Sequence, residues 1–166
     1  MKIKLFIVIM ILTAVILPAE QSLSGNGIDL RWKTGEDRLI VTLSAPTTGW
    51  IAFGIGAEEV MKNANIIMVW VDDDMGIAMA DDQYGNGRFS HKNDMKLGGE
   101  QNVQVLSGEQ TGESTSVTFS IPLDSGDRFD NPLEIGETYR YILAYGKTDN
   151  LKAKHKATHS GDLTIR

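Results

Sequence analysis

The sequence predicts an all-β protein: an antiparallel β-sandwich of two sheets. Three observations carry this. Short stretches alternate apolar and polar residues at period two. Clusters rich in Gly, Asp, Asn and Ser punctuate the chain at short intervals. Beyond the N-terminal segment hardly any stretch repeats its apolar residues at helical spacing.

Taken in order, "GIDLRWKTG" sets Ile28, Leu30 and Trp32 on one face, with Asp29 and Arg31 opposite. "RLIVTLSA" repeats the β-branched pattern. "TGWIAFGIG" and "NIIMVWVD" are near-continuous apolar runs of strand length, so both their faces are expected to be covered. "NVQVLS", "SVTFSIPL", "TYRYILAYG" and a closing "DLTIR" complete the set. The turns between them are "KTGED", "APTTG", "DDDMG", "YGNGR", "LGG" and "SGEQTGES". About eight or nine short strands at this spacing indicate an immunoglobulin-like sandwich. The stretch Gly85 to Gly99 is the longest with no clear strand, either a binding loop or a plain surface excursion.

The first residues read as targeting rather than fold. Lys2 and Lys4 precede an apolar run from Leu5 to Leu17, then Pro18 and Ala19, and the chain turns polar at Glu20. That is the layout of a signal peptide over residues 1–19, and the run is shorter than the roughly 20 residues a spanning helix needs. Leu17, three residues before the expected cut, is not small, so retention as a membrane anchor is the alternative. Residues 20–166 are then one exported domain, periplasmic or extracellular. With no cysteine, disulfides, thiolate metal sites and thiol catalysis are excluded. The net charge is −6, and removing two leader lysines makes the domain more acidic, a poor match for nucleic acid or anionic membranes.

Catalytic constellations are not evident. No serine sits in a G-x-S-x-G elbow, and no Gly-rich turn leads into a helix that could cradle phosphate. His155 and His159 at a four-residue gap suggest zinc only if Asn150 to Thr158 is helical. Asp72–Asp74 lacks calcium-loop spacing and reads as a solvated turn; Asp81 and Asp82 read as a polar strand end. What remains is a thioether and late imidazoles. Met61 stands among Glu58, Glu59, Lys62 and Asn63, so its side chain faces either the domain body or a ligand. Methionine and neutral histidine together are an axial pair for haem iron.

Three motifs resemble the DOMON domain family: Gly49-Trp50-x-Ala52-x-Gly54 followed by Met61 and an apolar strand; Pro122-Leu123-Asp124 after a strand; and Ala144-Tyr145-Gly146 leading to Asp149 and a histidine. The resemblance runs from about Gly27 to Gly161. It implies the two-sheet sandwich reached independently above and an extracytoplasmic setting. It also implies one of two ligand classes. One is b-type haem, as in the cytochrome domain of cellobiose dehydrogenase; the other is carbohydrate or ligand sensing. In the haem class, the family's methionine falls on Met61 and its histidine on His155. Lys154 stands where many relatives have Tyr, and His159-Ser160-Gly161 where they have Arg-Gly, so His159 is the alternative ligand.

On this basis the chain is expected to be an electron-transferring b-type cytochrome, not catalytic by itself. Met61 and a late histidine hold the iron with no position left for substrate. An apolar slot at one end of the sandwich is expected, lined from Trp50, Phe53, Ile55, Phe89 and Tyr145. The partner is expected to be a separate redox protein or a small-molecule electron donor or acceptor. The rival reading is a haem-free carbohydrate-binding or sensing module, with Trp32, Trp70 and Tyr84 available to stack on sugar rings.

Overall fold

The computed structural model describes residues 19–166; the expected leader lies largely outside them. Eleven strands run in chain order: β1 Gln21–Gly25, β2 Ile28–Thr34, β3 Arg38–Ala45, β4 Ile51–Ile55, β5 Asn65–Val71, β6 Ala78–Gly87, β7 Ser90–Asn93, β8 Gln104–Gln110, β9 Thr115–Pro122, β10 Thr138–Tyr145 and β11 Ala157–Thr164. A 3-10 helix, Asp94–Leu97, follows β7. One sheet has the order β1-β2-β3-β9-β8 and the other β11-β10-β4-β5-β6-β7. All their pairings are antiparallel. The expected two-sheet sandwich is the observed architecture.

Three strands exceed the expectation of eight or nine: β1, β6 and β7. β1 and β2 form a hairpin across Asn26-Gly27, both at positive φ (53° and 80°), the backbone an Asn-Gly turn favours. β6 and β7 occupy the polar stretch around Gly85 that showed no strand pattern. Asn150 to Thr158 is not helical; its end belongs to β11, so the helical zinc spacing does not form.

The five-stranded sheet is half-covered. In β2 and β3 every second residue is buried, and its outer face carries cross-strand hydroxyl pairs such as Thr42–Thr118 and Ser44–Ser116. Inward-facing Leu30, Val41, Leu43 and Phe119 meet Ile51, Phe53, Ile67, Val69 and Leu143 of the other sheet in one core. Phe53 and Phe119 span the interface at 6.5 Å between ring centroids. In the six-stranded sheet, β4 and β5 are buried on both faces, as their unbroken apolar runs require. Their outward residues join a second apolar cluster of Trp50, Ala52, Ile66 and Met68, with Ala57 and Ala64 from the β4–β5 loop.

Truncating Leu143 to Ala, at the centre of the main core, is expected to cost about 2–5 kcal/mol in urea unfolding. A loss below about 1 kcal/mol would contradict its assignment to the inter-sheet face.

Candidate functional site: an apolar cavity over the outer face of the six-stranded sheet

Strand alternation and register build the site floor. Ser160, Ile142, Gly54 and Ile66 form one row across β11, β10, β4 and β5; Thr158, Ala144, Ala52 and Met68 form the next. Gly54, Ala52 and Ala144 are small, so the floor sinks between Ile142, Ile66 and Met68. A Cβ on Gly54 would stand 2.5 Å from Ile142 Cγ1. The result is a depression of about 620 Å3 over the outer face, walled by the β4–β5 loop on one side and the approach to β11 on the other. That is the size of a small-molecule or cofactor site. It lies over a sheet face, not at an end of the sandwich.

Met61 and His155 both line this cavity, although they come from loops far apart in sequence. Trp50, Val60 and Phe89 join them, and Arg140, Asn26, Thr158 and Ser160 supply polar edges. His155 is exposed and sits among the exposed Lys152, Lys154 and Lys156. His159 also borders the space, but its position opposite Leu143 in the β10–β11 ladder turns it toward the inner face. Its ring packs 5.9 Å from that of Tyr141, and a Cβ on Gly25 would overlap it at 2.3 Å. His91 is remote: on β7 its Nδ1 pairs with Gln83 Oε1, and burial lowers its pKa.

Two of the aromatic residues expected in the slot are elsewhere. Phe53 and Tyr145 have the inward parity of β4 and β10 and belong to the inter-sheet core, as does Ile55. Trp50 and Phe89 do reach the cavity. Ala52, Gly54 and Ala144 were not anticipated as site residues. Their signal was a small residue at every second position, opposite large neighbours.

Met61 is held by its backbone. The loop runs against β6: Met61 N donates to Arg88 O, Asn63 N to Gly85 O and Gly85 N to Ala64 O. A Cβ at Gly85 would lie 1.6 Å from the Met61 carbonyl oxygen, so only glycine admits this crossing. Val60 and Asn63, on either side, have φ of 52° and 62°. For a β-branched residue such as Val60 that is a strained conformation, kept only where the surroundings impose it. Asn131 adds a clamp, its Nδ2 donating to both Ile55 O and Asn63 O.

The "GW" and "AYG" segments form the opposite anchor. Gly146 N donates to Trp50 O and Trp50 N to Thr148 O. The indole lies against Gly146, where a Cβ would meet Nε1 at 2.2 Å. Thr47 Oγ1 donates to Gly146 O. These bonds fix where the histidine-bearing loop leaves β10.

The chain is a two-sheet antiparallel β-sandwich domain with a thioether and an imidazole on one apolar cavity. The chain belongs to the DOMON domain family, whose model matches residues 24–146. It is 26% identical over 122 residues to MOXD1 homolog 1 of Drosophila melanogaster, covering 72% of this chain and 17% of that protein. The chain therefore spans about a sixth of that relative's length. Its fold is similar to the cytochrome domain of Myriococcum thermophilum cellobiose dehydrogenase (TM-score 0.63, 11% identity, 89% of this chain and 82% of that one). It is also similar to the cytochrome b domain of pyranose dehydrogenase from Coprinopsis cinerea (TM-score 0.60, 15% identity, 82% and 76%).

Gly85→Ala is expected to destabilise the domain by about 1–3 kcal/mol, because backbone and not a flexible side chain blocks the added methyl. Gly112→Ala, with open space around it, should stay within about 0.5 kcal/mol in the same denaturation assay.

Proposed function

We propose that this chain is a b-type cytochrome domain that binds one haem between Met61 and His155 and passes single electrons to a separate partner. One observation carries the reading: these two residues, delivered by different loops, line the same apolar cavity. The donor set fits the group, since a thioether and a neutral imidazole are an axial pair for haem iron. The floor of Ala52, Gly54, Ile66, Ile142 and Ala144 suits a flat apolar face. Arg140 at the edge, with the lysines beside His155, suits carboxylates. His159 is the weaker candidate because its ring is engaged on the inner face with Tyr141.

When bound, haem would supply a one-electron iron couple. Met61 and His155 would hold the iron, the apolar floor would exclude water, and Arg140 with the lysines beside His155 would receive the carboxylates. We read the protein as exported, with its redox partner either another protein or a small molecule. The carbohydrate alternative has less support. Trp32 is buried, Trp70 packs against the second apolar cluster, and Tyr84 packs on Phe129 with its hydroxyl donating to Asn63 Oδ1, so all three are engaged within the domain.

Haem added to the purified protein is expected to give sharp low-spin α and β bands on reduction. Met61→Ala and His155→Ala should each abolish them, while His159→Ala should keep them. Bands that survive His155→Ala and vanish in His159→Ala would reverse the ligand assignment. A protein that takes up no haem would refute the cytochrome reading outright. Gly54→Leu, which crowds the floor against Ile142 and Ile66, is expected to weaken haem uptake by at least about tenfold in a titration of protein shown to be folded.

A further inference from the structure

Three carboxylates converge away from the cavity, on the inner side of the six-stranded sheet. Asp82 pairs with Ile67 in the β5–β6 ladder and so faces inward, where the strand pattern would otherwise place an apolar residue. Asp94 opens the 3-10 helix, and Asp130 comes from the β9–β10 connection. One oxygen from each lies within 4.8 Å of the others. Asp82 is 1% exposed and Asp94 0%. Among the described residues no Lys, Arg or His forms an ion pair with any of them; the ion pair present is Lys62–Glu58.

Protein donors satisfy only part of this cluster. Asp82 Oδ2 accepts from Asn102 N at 2.9 Å. Asp130 Oδ1 accepts from Asn65 Nδ2 and Oδ2 from Ser125 Oγ, both at 2.6 Å. Asp82 Oδ1 and both oxygens of Asp94 are buried without a donor. The amide oxygens of Asn65 and Asn102 are also buried without a donor, while Asn65 Nδ2 and the Asn102 backbone N are the groups that meet the cluster. Asn65 is itself 4% exposed. Buried acceptors left unpaired cost free energy, and gathering three carboxylates with no counter-charge costs more. Desolvation first, and the neighbouring carboxylates next, push Asp94 up to about 8. Desolvation likewise raises Asp82 to about 7 against the opposing hydrogen bond from Asn102.

We infer that Asp82, Asp94 and Asp130 form a calcium site, with the two unpartnered oxygens of fully buried Asp94 left to face the ion. Every donor is a hard oxygen, the ligand type that suits magnesium, calcium and manganese over the softer zinc and copper. The spread of the carboxylate oxygens is compatible with a common centre at calcium–oxygen distances. Magnesium is usually held by one or two carboxylates and keeps most of its water; calcium takes six to eight oxygens from carboxylates and amide carbonyls. The ion would tie β6, the 3-10 helix and the β9–β10 connection to one point, with β5 and the segment before β8 hydrogen-bonded to its ligands. The inference is independent of haem.

The test uses the full chain stripped with chelator and titrated with CaCl2 by calorimetry and thermal melting. One ion per chain is expected, with melting raised by about 5–10 °C at saturating calcium. Asp94→Asn keeps the shape and removes a buried charge. It is expected to melt at or above the parent in EDTA, to lose the calcium increment, and to bind at least about tenfold more weakly. Asp130→Asn gives the same readout if the first variant does not fold. Asp73→Asn, in the exposed β5–β6 turn, should keep the full response. No binding heat and no melting shift at millimolar calcium would overturn the site, as would a full calcium increment retained in Asp94→Asn or Asp130→Asn.

Discussion

Successive side chains of a strand point to opposite faces, and in β4 and β5 both faces are covered. That pleat constrains everything else in the molecule. On the inner face Ile51, Phe53, Ile55, Ile67 and Val69 are bulky and fill the space between the sheets. On the outer face Ala52 and Gly54 are small, so the loops crossing them cannot be drawn down into contact everywhere. The packed core and the cavity are thus two sides of the same strands, and a one-residue slip in register would exchange them.

The loops inherit their geometry from that sheet. The Met61 turn is locked by the ladder-like bonds to Gly85 and Arg88 and by the Asn131 clamp, which together hold Val60 in a backbone conformation it would not choose alone. The His155 loop is anchored at its root, where Trp50, Gly146 and Thr148 interlock, and beyond that point it is largely exposed. One wall of the cavity is therefore held along its length and the other mainly at its base. The carboxylate cluster sits behind the first wall, since Asp130 and Asn131 are neighbours in the connection that reaches both.

Much of this was legible from residues alone. The alternation in "GIDLRWKTG" and the unbroken runs in "TGWIAFGIG" and "NIIMVWVD" give one-sided and two-sided burial directly. Strands β1, β6 and β7 were not legible, because their apolar content is thin and their partners, not their own patterns, hold them. The Asn26-Gly27 turn was a missed hairpin signal. Reading the β4 segment as a near-continuous apolar run hid the parity that sends Phe53 to the core and leaves Ala52 and Gly54 at the cavity; the same parity in β10 separates Tyr145 from Ala144. Asp82 was taken for a polar strand end; only the fold brings Asp94 and Asp130 to it from later segments.

The outward position of the cavity has a structural consequence. A sandwich is ordinarily a two-layer object, complete once its sheets meet. Here the middle strands of one sheet present an apolar surface to a third level that the chain only partly builds, with the Met61 turn and Leu151 as its fragments. Whatever occupies the remaining space completes that third layer. A change of occupant there would leave the joint between the sheets undisturbed, because the two lie on opposite faces of the same strands.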